Sequence, residues 1–278
     1  MDTVIEIYKY HDYRSYLRDV LKEAKTQAPG FTMRSLAREI GVQPPYLSNV
    51  LKGKKSLSEK SQKMIVKVLK LDRDERAYFS LLCLAADSNN GPERMKALQE
   101  MQHYQKFRSF HPNESETVRY LSHWYYPAIR ELVQLPGFKP DTKWICHALK
   151  YTVTHDEIEK ALTFLKKQGF VAVDAKGNYF LPSKKVVCDG DVYATALATF
   201  HRQLMEKMSE AIDALDKPER YITGHMIPLP KSAFNEVKAA LDQCLKRISE
   251  ISRSKDKPDS IFHVGFFGMA MAEEDVSK

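Results

Sequence analysis

Apolar side chains recur at intervals of three and four residues along most of this 278-residue chain, a periodicity that predicts helices. Strand-like apolar runs are short, and they occur only after Gly169 and near the C-terminus. The expected fold class is therefore mainly α with small β elements, an α+β arrangement. At this length the chain is expected to fold as two or three domains.

The pattern is most specific between residues 33 and 53. Apolar side chains at Met33–Ile40 share one helix face, and Gly41 then supplies the left-handed position at which a helix can stop. A second helix must begin near Gln43, because the pair Pro44-Pro45 is tolerated only in a first helical turn. Gly53 ends this helix. Two short helices joined by a tight glycine turn predict a helix-turn-helix motif.

The second helix of this motif has two different faces. Leu47 and Val50 predict a buried inner face, whereas the opposite face carries small and polar side chains. Small residues allow close approach to a base-pair edge in the major groove, where Asn49 can pair with adenine, and lysines can reach phosphates. The predicted DNA-binding residues are Arg34, Gln43, Pro45, Tyr46, Ser48, Asn49, Lys52, Lys54 and Lys55.

The net charge of +7 is concentrated in the same segment. Residues 31–70 hold nine basic and two acidic side chains, whereas residues 71–278 hold 29 of each sign. Positive charge of this density is expected of a phosphate-binding surface. A solvated lysine-rich helix face has the same composition, and a helical hairpin that only packs is the structural alternative.

Residues 41–58, GVQPPYLSNVLKGKKSLS, resemble the repressor/Cro-like DNA-binding domain. Together with HDYR at 11–14, ERAYF at 75–79 and HWYY at 123–126, they more closely resemble a bacterial family described as transcriptional regulators, paralogues in Fibrobacter with a C-terminal domain of unknown function. The resemblance extends to about Phe267 and departs at FFGMA, residues 266–270. It implies a role in gene regulation and names no effector.

A polar breaker at residues 87–92 is the best domain boundary in the sequence. Ser58 and Asp72 are expected to cap two further helices of the first domain. The predicted domains are a repressor/Cro-like helix-turn-helix domain over 1–88, a connecting helix over 89–119 (Glu93 to about His111), a winged-helix domain over 120–187, and a C-terminal α/β effector or dimerisation domain over 188–278.

Three helices followed by a hairpin predict the central winged helix. The helices span Tyr120–Leu135, Lys143–Lys150 and His155–Gln168, and the strands span Phe170–Val173 and Asn178–Leu181. A capping box of Thr154 with Glu157, next to Asp156 and Glu159, places acidic side chains at the end that would approach DNA. We interpret this module as protein-facing, with wing contacts to DNA through Lys176, Lys184 and Lys185 as the alternative. Trp124, Tyr125, Tyr126 and Trp144 are interpreted as core rather than pocket residues.

The C-terminal pattern predicts one long helix and then a small βαβ layer. The long helix spans Asp191–Leu215, and its apolar ridge suits pairing with another helix. Strands over Arg220–Leu229 and Ile261–Met271 flank a helix over Pro230–Ser252. Two strands are too few for a stable sheet, so we expect them to pair with a second subunit or with upstream elements. A homodimer is the expected assembly.

The sequence offers no sign of catalysis. It contains no phosphate-binding glycine loop, G-x-S-x-G elbow or H-E-x-x-H helix, and its four cysteines form no C-x-x-C pair. We therefore expect no enzyme, catalytic residue, metal site or cofactor, and thiols that remain reduced. The longest apolar run is too short to span a membrane, and no secretory signal is recognisable at the N-terminus, so the expected location is the cytoplasm.

These patterns together predict a sequence-specific DNA-binding transcriptional regulator. The expected partners are double-stranded DNA, read in the major groove by the helix Pro44–Lys52, a second copy of the chain, and a small-molecule or protein effector of unknown identity. The alternative is a partner- or effector-binding interaction module, antitoxin-like, in which DNA contact is secondary. Substitution of Asn49 separates the two, because only a DNA reader loses affinity.

Overall fold

A computed structural model describes residues 5–186, 190–252 and 257–272 of the chain. These residues form thirteen α-helices and one two-stranded antiparallel sheet, which confirms the mainly α class. The chain divides into two compact units, residues 1–127 with 183–209 and residues 128–182 with 210–278. The predicted domain borders at 88, 119 and 187 stay predictions.

The first unit begins with a short 3-10 helix, Ile7–Lys9, and continues as a series of helices. Each start has a visible local cause, because the Asp12, Thr32, Ser58 and Asp72 side chains accept hydrogen bonds from backbone N–H groups of the following helix. The predicted caps at Ser58 and Asp72 are thus confirmed. The helices are α1 (Tyr13–Gln27), α2 (Met33–Ile40), α3 (Pro44–Leu51), α4 (Glu59–Val68), α5 (Arg73–Asp87), α6 (Gly91–Met101), α7 (Gln105–Phe110) and α8 (Pro112–Tyr120).

Aromatic rings form much of the core of this unit. Tyr13 and Tyr16 of α1 are fully buried, and both rings lie edge-on to Phe79 of α5, with centroid distances of 6.2 and 6.4 Å. Edge-to-face pairs of this kind add to the free energy gained from burial. The aromatic stripe of α1 is therefore core packing.

The predicted connecting helix over 89–119 is wrong as a continuous element. The chain breaks between α6 and α7, where Tyr104 adopts an extended backbone conformation. This turn brings the Tyr104 ring to 5.4 Å from Tyr8 and 5.3 Å from Tyr78, and Phe107 becomes buried beside them. Burial of these rings outweighs the hydrogen bonds that a continuous helix would gain.

Two helices include residues of both units. Helix α9 (Tyr125–Leu132) starts later than the predicted Tyr120, and α12 (Gly190–Ala214) closely matches its prediction. The late start of α9 has a local cause within the first unit. The Gln203 side chain of α12 accepts a hydrogen bond from Trp124 N (2.9 Å) and donates one to Ser122 O (2.8 Å), so it satisfies the backbone at the break.

The second unit contains helices α10 (Thr142–Ala148) and α11 (His155–Lys167) and then the hairpin of β1 (Ala172–Val173) and β2 (Tyr179–Phe180). Both strands are shorter than predicted. Phe170 N and Val171 N donate to Leu165 O at the end of α11, so these residues complete the helix terminus instead of pairing in the sheet. Pro182 lies just after β2 and has no N–H to donate.

The predicted βαβ layer is wrong. A short 3-10 helix (Lys217–Glu219) follows α12, and another (Lys231–Ala233) leads into α13 (Phe234–Ile251), close to the predicted helix. Neither Arg220–Leu229 nor Ile261–Met271 forms a strand in the described part of the chain. A strand needs a backbone partner, and Pro228 removes one donor from the first stretch.

Candidate functional site

The site is built around the turn between α2 and α3. Gly41 ends α2 in the left-handed conformation, with φ 77°, and its N–H and that of Val42 donate to the last carbonyl groups of α2. Gln43 is extended, and Pro44-Pro45 occupy the first two positions of α3. Gly53, with φ 75°, follows the end of α3. The local geometry is therefore the one that the glycine and proline positions predict.

The inner face of α3 is part of the core. Leu47 and Val50 are fully buried, as are Leu36 and Ala37 of α2. Removing these side chains from water contributes about 1.5–3 kcal/mol for each large one and fixes the rotation of α3 about its axis. The residues between them must consequently face outward.

The outer face contains the predicted DNA-binding residues. Six of them are exposed, and three are half-buried, Tyr46, Ser48 and Asn49. Arg34 lies in the first turn of α2, and Lys54 and Lys55 lie in the turn after α3. The exposed residues are Arg34, Gln43, Pro45, Lys52, Lys54 and Lys55. The set thus forms a small polar face that contains a carboxamide and has cations along it.

Tyr46 differs from its neighbours because its hydroxyl group is engaged within the protein. It donates a hydrogen bond to Ser56 O and accepts one from Ser58 N, both at 3.0 Å. These bonds connect α3 to the segment that leads into α4. Tyr46 therefore holds the lysine-bearing turn in place, a role that the sequence pattern did not predict.

An open cleft of about 530 Å³ lies next to α3 and adds two arginines that the sequence analysis missed. Arg14 and Arg18, one turn apart on α1, line it together with Ser48 and Lys52. Arg18 is largely exposed, with its Nε donating to Arg14 O at 3.1 Å. The spacing of four residues puts both arginines on one helix face, which was the available signal.

Arg14 and Asp87 form a mostly buried ion pair behind α3, with each side chain 13% exposed. The Asp87 carboxylate also accepts hydrogen bonds from the Tyr13 hydroxyl (2.9 Å) and from Leu57 N (3.1 Å). Arg14 Nε donates to Val50 O in the last turn of α3 at 3.0 Å. Through this cluster, the ends of α3 and α5 and the segment before α4 are all connected to α1.

Electrostatics keep this cluster in one protonation state. Burial raises the pKa of the Tyr13 hydroxyl, and the neighbouring Asp87 carboxylate raises it further, so the phenol stays neutral and donates. Burial alone would lower the pKa of the Arg14 guanidinium, but Tyr13 and the hydrogen bond to Asp87 raise it above its ordinary value. The Arg14 guanidinium therefore stays charged at neutral pH, and the Tyr13 hydroxyl stays neutral.

The start of α11 has the predicted acidic character. Thr154 and Glu157 form the predicted capping box, and Asp156 and Glu159 are exposed beside it. Of the predicted wing lysines, Lys184 forms an ion pair with Glu116 at 2.6 Å. Lys176 and Lys185 are exposed.

The aromatic residues of the central region pack against other rings, as interpreted. Tyr125 and Tyr126 are buried, and their stacked rings lie 5.2 Å apart. Trp144 is half-buried, with its ring edge-on to Phe138 at 5.6 Å. Trp124 is also half-buried, and Lys207 lies 6.0 Å above its ring.

The cysteines within the described ranges are free, and Cys188 lies outside those ranges. Cys83 is buried, which raises the pKa of its thiol. The Cys146 thiol donates to Val153 O at 3.2 Å, and the nearest imidazole is His155, 3.9 Å away, rather than the adjacent His147. In the described residues, no three His, Cys, Asp or Glu side chains are grouped as metal ligands, and no helix is long and apolar enough to cross a membrane.

Comparison with protein families matches residues 104–267 to one family model, described as Domain of unknown function (DUF4423). The match covers more than half of the chain and starts after α6, so it does not include the surface around α3. No curated protein and no solved structure matches the chain.

Proposed function

The chain belongs to the DUF4423 family, and we propose that it is a sequence-specific DNA-binding transcriptional regulator that reads the major groove with α3. The observation that carries the proposal is the outer face of α3. This face is accessible, polar and bordered by cations, whereas the opposite face is fixed in the core. In this proposal α2 and α3 are the two helices of a helix-turn-helix motif.

The chemistry of this face supports base readout. Asn49 carries a carboxamide, whose oxygen and NH₂ group match the N6 and N7 atoms of adenine in the major groove. Pro45 and Ser48 are small enough to let α3 approach the base edges closely. Gln43, at the N-terminal end of α3, offers a second carboxamide.

The cations around α3 support phosphate binding. Arg34, Lys52, Lys54 and Lys55 are exposed. Arg18 extends this positive border on the side of the cleft. Phosphate contacts supply most of the sequence-independent affinity and fix the orientation of a reading helix on the duplex.

The rigidity of α3 supports specificity. Helix α3 is restrained at both of its ends. The Tyr46 hydroxyl group donates one hydrogen bond and accepts another near the first end, and Arg14 donates to Val50 O near the second. Base discrimination requires donors and acceptors that are held in place before the complex forms. A helix that is restrained in this way loses little conformational entropy when it binds.

We further propose that the central module is a winged helix that faces protein rather than DNA. Its helices would be α9, α10 and α11, and the hairpin of β1 and β2 would be the wing. Glu159 at the start of α11 would repel a phosphate backbone, whereas Asp156 adds less because it is paired with Lys160. The alternative is that the wing contacts DNA through Lys176, Lys184 and Lys185. The ion pair of Lys184 with Glu116 weakens that alternative, because it engages one of the three lysines.

The test is a DNA-binding titration of the full chain. Sites are first selected from random double-stranded oligonucleotides, and affinity for the selected site is then measured by fluorescence polarisation. We expect Asn49→Ala to cost about 1–3 kcal/mol of binding free energy and to relax the preference at one base pair. Asn113→Ala, at an exposed asparagine of α8, is the matched control and should bind as the wild type does.

Lys54→Ala provides a second readout in the same titration. This substitution should weaken binding to all sequences alike and reduce the slope of log affinity against log salt by about one. Salt-independent binding, or equal affinity of the wild type and Asn49→Ala for the selected site, would contradict the proposal. The second outcome would favour the partner-binding module, for which the exposed apolar surface near the C-terminus is the supporting observation.

A further inference from the structure

The segment from Tyr221 to Met271 exposes an unusual amount of apolar surface. Fourteen large apolar side chains in the described part of this segment are exposed, compared with six in the rest of the described chain. Several of them are almost as accessible as in an extended peptide. The most exposed are Tyr221 (84%), Met226 (87%), Phe262 (68%), Met269 (78%) and Met271 (68%).

Helix α13 has the residue pattern of a helix that pairs with another helix. Its apolar side chains are spaced alternately by three and four residues over five intervals, which is the a/d spacing of a coiled-coil seam. None of its residues is buried. The seam consists of Phe234, Val237, Leu241, Cys244, Ile248 and Ile251.

The two extended stretches beside α13 are not paired in a sheet within the described part of the chain. Residues 221–229 and 261–271 form no strand among the described residues, and no backbone hydrogen bond pairs 221–229 with another described stretch. Phe234 is the point of contact between α13 and the second stretch, since its ring would lie 3.3 Å from a Cβ atom placed on Gly268. Extended, apolar and unpaired backbone is a template for pairing with another chain.

The exposed area is large enough for a stable interface. With about 200 Å² for one large side chain, fourteen side chains at these exposures carry on the order of 1,500 Å². A standard interface buries about 800 Å² per partner, and the largest apolar patch of a typical monomer is roughly 300–600 Å². The segment therefore exceeds what an isolated monomer normally exposes.

Charge and symmetry favour a second copy of this chain as the partner. Residues 221–271 hold seven basic and five acidic side chains, so an anionic partner gains little from this net charge of +2, and two copies repel each other only weakly. A two-fold axis brings the same helix seam of both copies face to face, so each apolar seam is covered by its own copy. A dimer would also supply two copies of α3 for two DNA half-sites.

We propose that the chain is a two-fold symmetric homodimer whose interface consists of α13 and the extended stretches 221–229 and 261–271. The two α13 helices pair along the seam, and the extended stretches pair across the axis and cover the remaining apolar side chains. This inference deepens the proposed function. Its argument from two DNA half-sites rests on that function, whereas the arguments from the exposed apolar area and from the seam of α13 are independent of it.

The first test measures the mass of the full chain by light scattering during size-exclusion chromatography, without DNA. At micromolar concentration we expect twice the 32.0 kDa of one chain. Leu245→Glu, at a leucine that adjoins Cys244 beside the seam and is 38% exposed, should raise the dimer dissociation constant at least about 100-fold, because the proposed interface covers this side chain and would have to bury an unpaired charge. Leu84→Glu is the matched control, since Leu84 lies on α5 and is 39% exposed, and it should remain dimeric.

The second test is independent of whether the glutamate variant folds. Cys244 is exposed and lies within two residues of the middle of α13, so two paired helices bring both thiols near the two-fold axis whether they run parallel or antiparallel. A short bismaleimide should cross-link the wild type as a dimer. Cys244→Ser should abolish this product, whereas Cys146→Ser should retain it.

The outcomes separate this inference from the proposed function. A monomeric wild type, or a dimer that persists in Leu245→Glu, overturns the proposed interface whatever the DNA titration shows. A dimer without the Cys244 product overturns the pairing of α13. A dimer that behaves as expected but binds no DNA leaves the interface intact and contradicts only the regulator proposal. A monomer that binds lipid vesicles or a small apolar ligand through this segment also overturns the second copy as its partner.

Discussion

Helices α1 to α5 and the segment from Tyr221 to Met271 differ in what covers their apolar side chains. In the first region, Tyr13, Leu47 and Phe79 are fully buried by side chains of the same chain. In the second, α13 has no buried residue, and the extended stretches beside it expose most of their apolar side chains. The first region is therefore covered within its own chain, whereas the described residues leave the second exposed, and the proposed dimer would cover it.

The largest effect is expected at the buried ion pair. Asp87→Ala leaves the mostly buried Arg14 guanidinium with only the longer ion pair to Asp12, at 3.6 Å, and removes acceptors from Tyr13 and Leu57 N, which should lower the free energy of unfolding by about 3 kcal/mol. Asp19→Ala, on α1, loses only an exposed hydrogen bond from Tyr10 and should cost less than about 1 kcal/mol. Urea titration followed by circular dichroism measures both. Equal losses would show that the cluster does not stabilise the first region.

The next effect compares one leucine from each region. Leu47→Ala should lower the free energy of unfolding by about 2–5 kcal/mol, because it removes a fully buried side chain from the inner face of α3. Leu245→Ala, on α13, should cost less than about 1 kcal/mol when measured at a protein concentration too low for dimerisation. A large loss for Leu245→Ala under these conditions would mean that the second region is covered within its own chain.

The smallest effect concerns two tyrosine hydroxyl groups. Tyr46→Phe removes one donor and one acceptor that connect α3 to the following segment, and it should lower the free energy of unfolding by about 0.5–1.5 kcal/mol. Tyr221→Phe changes a side chain that is 84% exposed and should leave the unfolding midpoint of the monomer unchanged. Thermal unfolding of both variants provides the comparison, and indistinguishable midpoints would remove Tyr46 from the residues that hold α3.

Features that depend on neighbouring residues were predictable from the sequence. Helix ends are fixed by residues within a few positions of the end. The examples are Gly41, the pair Pro44-Pro45, and the caps at Ser58, Asp72 and Thr154. The inner and outer faces of α3 follow from its apolar spacing, and the burial of Leu47 and Val50 confirms them.

Features that depend on distant partners were not predictable. Asp87 lies in the predicted polar breaker. Its partners Tyr13 and Arg14 precede it by more than 70 positions, so no local pattern indicates their contact. Tyr104 interrupts a helical pattern to reach rings of other elements. The apolar side chains in residues 220–229 and 261–271 indicate stretches that need burial, but they do not say which backbone will pair with them.

The Asp87 cluster has a consequence for synthesis on the ribosome. A nascent chain that ends before Asp87 already contains α3 and its lysines, but it lacks the carboxylate that holds Arg14 against Val50 O. Helix α3 therefore gains this restraint only after α5 has emerged and docked on α1. Under the proposed function, a truncated product would carry the same residues in α3 without the contact that holds its last turn for DNA recognition.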